Sequence, residues 1–237
     1  MVQLKKIINE KIENFKYGIL MPIGVKQIKK HGFWFIDIPR TSSTSIRVEL
    51  GSAYGPAFGK SDVFEKGFKQ IQFIPSHLTA KIMKDNLGSN EWEKIFSFTL
   101  VRNPWDRMVS LYHYRLKSNL LRQDMKFSEF VKRLKPDMFG KEGTYNYFGH
   151  YFGCADYIID ENDNVIVSFV GKYENRDKDL KYIADKIGLP GLGKLALQKA
   201  LTDNKHYSEY YDEHTKNIIE NVYAKDIELF KYKFERT

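Results

Sequence analysis

Two stretches of the chain gather residue types that hold anions. The first is Ile38-Pro39-Arg40-Thr41-Ser42-Ser43-Thr44-Ser45-Ile46, a run of hydroxyls behind one arginine. It follows an apolar run and opens a helix-forming one. In that setting successive backbone N–H groups and the positive end of a helix converge on one point, which suits a phosphate or sulfate. Ser and Thr also serve as ordinary helix N-caps, and that is the alternative reading of the same residues. No Gly-x4-Gly-Lys-Ser/Thr pattern occurs in the chain, so an ATPase or kinase reading lacks its main support. The second stretch is Val101-Arg102-Asn103-Pro104-Trp105-Asp106-Arg107-Met108-Val109-Ser110-Leu111-Tyr112. Arg102 ends an apolar run, and Ser110 follows two helical turns later. A guanidinium and a hydroxyl so spaced can share a second anion. Here too a plain alternative stands: Arg102 and Arg107 pair with Asp106 or solvate a helix face.

The elements that must position these residues are legible in outline. Phe33–Ile38, Ile95–Val101 and Val165–Val170 are short apolar runs closed by Pro39, by Asn103-Pro104 and by Gly171, and they read as buried strands. Asn103 and Pro104 supply an N-cap and a first helical residue, with Trp105, Met108, Val109 and Tyr112 on one face behind them. A further helix is expected from about Asp177 to Ile187, stopping at Gly188, and a last one from about Tyr207 to Phe230. Strands alternating with helices predict an α/β fold with a central, mainly parallel sheet. Ligands of such sheets sit at the carboxyl ends of the strands, where both anion stretches fall.

The 237 residues fit one domain at roughly 100–200 residues per domain. The most linker-like segment, Gly51 to Gly67, is too short to separate two domains and reads as a loop within one. The single cysteine, Cys154, excludes an internal disulfide framework and any zinc site built on several thiolates. A net charge of +8 favours anionic partners. No apolar run approaches the roughly 18 residues of a membrane span, and the start of the chain lacks the apolar core of a signal peptide. The expectation is a soluble, cytoplasmic protein with no membrane span.

Two anion sites at neighbouring strand ends imply a ligand with two separated anionic groups. Together the stretches resemble the motifs of the sulfotransferases that use 3′-phosphoadenosine 5′-phosphosulfate (PAPS), in particular carbohydrate sulfotransferases and their bacterial relatives. Ile-Pro-Arg-Thr-Ser-Ser-Thr-Ser resembles that family's 5′-phosphosulfate loop, usually Pro-Lys-Thr-x-x-Thr-Ser. Phe98 to Arg107 with Ser110 resembles its 3′-phosphate motif. The likeness continues through Phe169–Asn175, Tyr210–Asp212 and Asp226–Tyr232, and covers about Phe33 to Phe234; residues 1–32 lie outside it.

The resemblance implies a P-loop-like three-layer fold and transfer of a sulfuryl group from PAPS to an acceptor hydroxyl, with adenosine 3′,5′-bisphosphate as the product. It implies that Arg40, Thr41, Ser42, Ser43, Thr44 and Ser45 hold the 5′-phosphosulfate, and that Arg102 and Ser110 hold the 3′-phosphate. Arg40 stands where the family has a lysine. It stays charged but cannot give up a proton, so its part is electrostatic. Sulfuryl transfer needs positioning and stabilisation of charge on the leaving phosphate, and no metal is expected. The expected general base is His77, between the two stretches at a helix entrance. Relatives carry a histidine there, and an ordinary imidazole pKa of about 6.5 suits the task. Packing at the helix entrance is the plainer alternative for His77, and Glu49 is the reserve base. Lys172, with Tyr173 and Glu174, matches a family segment near the cofactor. Lys205, with His206 and Tyr207, occupies a loop that closes over the nucleotide in relatives.

The acceptor is expected to be a sugar, glycan or small molecule bearing a hydroxyl. Its site would be shaped by Gly51–Gly67 and by Leu120–Phe152, which carries Tyr145, Tyr147, Phe148, Tyr151 and Phe152. Three other readings are weaker. A nucleotide kinase lacks its phosphate-loop lysine. A nucleic-acid or polyanion-binding module lacks a basic run or motif. A binding-only relative rests on Arg40 alone.

Overall fold

The computed structural model describes residues 18–59, 73–134, 149–194 and 205–236. Tyr145, Tyr147 and Phe148 fall outside them, as does much of the expected loop after Gly59. Three parallel strands form the sheet among these residues: β1 (Phe33–Phe35), β2 (Phe96–Val101) and β3 (Phe169–Lys172), in the order β1-β2-β3. Phe33 pairs with Phe96 across β1 and β2, and Phe98 with Phe169 across β2 and β3. Strands of a parallel sheet are covered on both faces, which is why they read as continuous apolar runs rather than alternating ones. Helices surround this sheet, making an α/β fold.

Each strand feeds a helix from its carboxyl end. After β1 comes α2 (Ser43–Tyr54), preceded in the chain by α1, helical over 18–31. After β2 comes α5 (Pro104–Lys117); α3 (Ala80–Leu87) and the short α4 (Ser89–Trp92) lie between. After β3 a 3-10 turn at Tyr173–Asn175 leads into α7 (Arg176–Ile187), which ends at a left-handed Gly188. The start of α5 is fixed by the Asn103 side chain, which accepts from the Trp105 N–H, and by Pro104 at the first helical position. The remaining helices are α6 (Phe127–Lys132), α8 (Glu213–Val222) and α9 (Ala224–Phe230). A single apolar cluster runs from Val25 to Tyr232 through Ile36, Phe98, Met108 and Tyr223.

Three expectations change. The first strand ends at Phe35 rather than running to Ile38; the Ile36 N–H still donates to the Phe98 carbonyl, and Asp37 then turns toward Arg47. The third apolar run is not a strand from Val165. That residue only bridges antiparallel to Ile159, and the Ile166 carbonyl accepts from Trp92 Nε1, so parallel pairing begins at Phe169 and continues to Lys172. The last helix is three pieces rather than one. A 3-10 turn covers Tyr207–Tyr210, α8 starts at its own N-cap, Asp212, and the chain leaves helical geometry at Tyr223 before α9. No helix among the described residues is long and apolar enough to cross a membrane.

Candidate active site

The turn between β1 and α2 is held in an uncommon conformation. Arg40 and Ser42 have φ of 69° and 73°, and His77, in the segment that enters α3, has φ of 62°. A non-glycine residue in the left-handed region costs about 1–3 kcal/mol and persists only where its surroundings over-determine it. Here the holds are visible. The Thr41 hydroxyl donates to the Ile38 carbonyl at 2.9 Å. Arg107 Nε donates to the Pro39 carbonyl at 3.0 Å, and Arg102 Nη1 to the Arg40 carbonyl at 3.1 Å. Ser42 makes no side-chain cap bond to α2, so the first N–H groups of that helix, which have no carbonyl within the helix, are left open.

Arg40 reaches across to the neighbouring strand end. Its Nε and Nη2 donate to Ser110 Oγ at 3.1 and 2.9 Å, and its guanidinium lies 4.8 Å from the Tyr114 ring centre. Arg102 forms a two-pronged pair with Asp106, at 2.7 and 2.9 Å, and stacks 4.0 Å over the Tyr173 ring. The plain alternative for Arg102 therefore holds in part: it does pair with Asp106. Three of its five N–H donors are taken and two remain. Arg107 makes no such pair and is buried beneath the turn. Burial, with Arg102 and Arg107 close by, pushes the Arg40 pKa down to about 10, so Arg40 stays charged near neutrality. No carboxylate among the described residues forms an ion pair with Arg40. The cluster of Arg40, Arg102 and Ser110 thus carries a positive surplus that an anion can complete.

A second network lies on the other side of the turn. Asp37 leaves β1 and pairs with Arg47 on α2 at 2.7 Å; Arg47 also donates to Ser76 Oγ at 2.5 Å. His77 Nδ1 sits 2.9 Å from the Asp37 carbonyl and 3.4 Å from its carboxylate. Burial alone would raise the Asp37 carboxyl, but His77 and Arg47 outweigh it and hold the group well below the usual carboxylate range. Burial would likewise lower His77, but the charge and hydrogen bonds of Asp37 outweigh that and raise its pKa. The His150 ring stands edge-on to His77 at 5.2 Å and stacks on Tyr114 at 5.6 Å. Burial, then His77 and three arginines, push His150 down to about 3, so it is neutral near pH 7.

A cleft of about 230 Å³ has a lining that includes Asp37, Arg40, Ser43, Thr44, Arg47, His77, Tyr114 and His150; of the first network Arg40 and Tyr114 reach it, while Arg102 and Ser110 stand behind Arg40 and do not line it. A larger cleft of about 520 Å³ lies past Thr79 and Phe152 and carries Asp156, Asp160, Asp163 and Asp226. Its carboxylates repel the ligand that the arginines attract, and the smaller cleft is the better candidate on chemistry.

The expected residues fall into groups. Arg40, Arg102 and Ser110 come together, with His77 and Ser43 beside them. Thr44 is exposed and Ser42 and Ser45 half-buried at the helix mouth, while the Thr41 hydroxyl is turned inward. Glu49 packs against Gly191, where an added Cβ would stand 2.4 Å from its carboxylate, and it does not line the cleft. Lys172 Nζ is spent on the Phe230 carbonyl at 2.7 Å. Lys205 is exposed just ahead of the Tyr207–Tyr210 turn. Asp37, Arg47, Tyr114 and His150 were missed. A carboxylate interrupting the apolar run Phe33–Ile38 was a usable signal for Asp37, and Arg47 follows Ser43 by one helical turn on the same face. Nothing in the sequence marks Tyr114 or His150.

Comparisons with known proteins bear on the family of the chain. A stretch of 130 residues, 54% of this chain, is 29% identical to an uncharacterized protein of Archaeoglobus fulgidus and covers 96% of that protein. The sequence model described as the sulfotransferase family matches residues 27–233, which takes in both strand-end stretches, His77 and everything from α2 to α9. The chain belongs to the sulfotransferase family.

Proposed function

We propose that the chain transfers a sulfuryl group from PAPS to a hydroxyl of an acceptor, with His77 as the general base. The observation that carries the reading is the junction of Arg40, Arg102 and Ser110 across two strand ends, positively charged and short of a counter-ion, beside a histidine with one pinned nitrogen. When bound, PAPS supplies an activated sulfuryl group on a phosphate leaving group. Arg40 and the open N–H groups of the Thr41–Ser45 turn fit its 5′-phosphosulfate, and Ser110 with the spare donors of Arg102 fits its 3′-phosphate.

His77 donates Nδ1–H to the Asp37 carbonyl, so in the neutral imidazole Nε2 is the bare nitrogen that takes the acceptor's proton. The Asp37 carboxylate stabilises the imidazolium that forms. Arg40 meets the negative charge developing on the leaving phosphate, in a site where burial strengthens such a contact. His77→Ala is expected to keep its affinity for adenosine 3′,5′-bisphosphate. Its turnover of labelled PAPS should fall about 10²–10⁴-fold, the usual worth of a general base. Near-normal turnover in His77→Ala would remove the base assignment.

A further inference from the structure

Arg107 is the largest fully buried side chain described, at 1% exposure, and it has no carboxylate partner within ion-pair distance among the described residues. Its Nε donates to the Pro39 carbonyl at 3.0 Å and its Nη2 to the His150 carbonyl at 3.4 Å. Its Nη1 is buried with no hydrogen-bond partner. The nearby Asp226 spends both oxygens on the N–H groups of Cys154 and Ala155. Burying a charge without an ion pair costs several kcal/mol, and an apolar side chain of that size would fill the space more cheaply. Burial disfavours the charge and the nearby Cys154, Tyr223 and Asp226 offset that, yet its direct hydrogen-bond partners are only two carbonyls. They are, however, the carbonyls that matter for the cleft. Pro39 precedes Arg40, whose own carbonyl is held by Arg102, so two guanidinium groups from one helix start grip successive carbonyls of the left-handed turn. His150 forms the opposite wall, its ring against Tyr114 and His77.

We propose that Arg107 is a positioning residue: from beneath the cleft it ties the Arg40 turn to the wall that bears His150, setting the place of the anion-binding guanidinium and of the ring beside His77. The tie needs a fork. A lysine ammonium is a single point charge and cannot serve two carbonyls in fixed directions, so Arg107→Lys keeps the charge and loses the geometry. Arg107→Gln keeps a donor and loses the charge. The inference rests on the sulfotransferase reading only for its nucleotide readout.

The test uses Arg107→Lys and Arg107→Gln, with Leu180→Ala, a buried core change in α7, as a control for lost stability. Two quantities are read well below each melting temperature. One is the dissociation constant for adenosine 3′,5′-bisphosphate, expected to rise about tenfold or more in both Arg107 variants. The other is the imidazole titration of His150 by NMR. That ring faces His77, Tyr114 and the guanidinium groups of Arg40, Arg107 and Arg115. Freed from its tie in Arg107→Lys, where the lowering charge is kept, it should titrate upward from about 3 toward the ordinary 6.5. Leu180→Ala should move neither readout. Folded Arg107 variants with wild-type affinity and a wild-type His150 titration would overturn the inference, and Arg107→Lys carries the test if Arg107→Gln does not fold. Should the wild type not bind the bisphosphate, the PAPS reading fails, and the His150 titration alone decides the role of Arg107.

Discussion

A histidine serves as a base only if the right nitrogen is bare at the working pH. At His77 the Asp37 carbonyl takes the proton of Nδ1, and the Asp37 carboxylate raises the pKa against the pull of burial. A base at His77 must be neutral to act, so kcat/KM should fall as pH drops through that raised value, on a limb lying above 6.5. Asp37→Asn removes the raising charge and leaves burial and Arg47 pulling the other way. Its limb should move toward acid. A wild-type limb below 6.5, or one unmoved in Asp37→Asn, contradicts the pairing. Arg40, Arg102 and Ser110 could be picked from the sequence because their two stretches together suggest a ligand with two anionic groups, and His77 from its place between them and the family resemblance. Their companions could not. The Asp37–Arg47–Ser76 network joins separate segments, and the Arg40–Ser110 bond spans 70 residues. Residue type says that a group can bind; only the fold says what it meets.

At the scale of elements, strand-to-helix transitions do the positioning. The starts of β2 and α5 were legible because local rules set them: an apolar run, then Asn103 capping and Pro104 opening the helix. The start of β3 was not, because Val165–Val167 is as apolar as Phe169-Val170 and only the partner strand decides where pairing begins. The long last helix failed for a related reason. Its pattern continues through Asp212, but that residue caps α8, its carboxylate accepting from the Thr215 N–H at 2.7 Å while Thr215 Oγ1 accepts from the Asp212 N–H at 3.1 Å. Asp212→Ala should therefore cost about 0.5–2 kcal/mol of stability. Turnover at a temperature where the variant is folded should not change, since α8 contributes nothing to the cleft lining. Urea melts and the transfer assay check the two halves. Unchanged stability, or lost turnover in the folded variant, contradicts this division of labour.

Across the whole molecule, the cleft concentrates charge at the expense of acid tolerance. His150 has a folded pKa of about 3 against an ordinary 6.5. Between those values the unfolded chain binds more protons than the folded one, so stability rises with pH there and is lost as pH falls from 6.5 toward 3. Asp37 acts in the same direction at lower pH, since its depressed group contributes stability above the ordinary carboxylate range and loses it on acidification. His77 opposes them: its raised pKa contributes stability fully present below 6.5 and lost as pH rises through the folded value. His150→Phe keeps a ring against Tyr114 but cannot take up a proton. The stability difference between pH 7 and pH 4, from urea melts, should be smaller in this variant than in the wild type. An equal difference would mean that His150 does not carry the acid sensitivity.

The proposed function depends on Arg40, Arg102 and Ser110 forming a site for a nucleotide bearing a 3′-phosphate. It is tested most directly by melting the wild type and Arg40→Ala with adenosine 3′,5′-bisphosphate, AMP or ATP at matched concentration. A ligand held only by the folded state stabilises by about 2.7 kcal/mol at one hundred times its dissociation constant. For a chain of this size each kcal/mol is worth about 2–4 °C. The expected result is a shift of several degrees with the bisphosphate, little with AMP or ATP, and its loss in Arg40→Ala. Equal shifts with all three nucleotides, or a bisphosphate shift that survives Arg40→Ala, would contradict it.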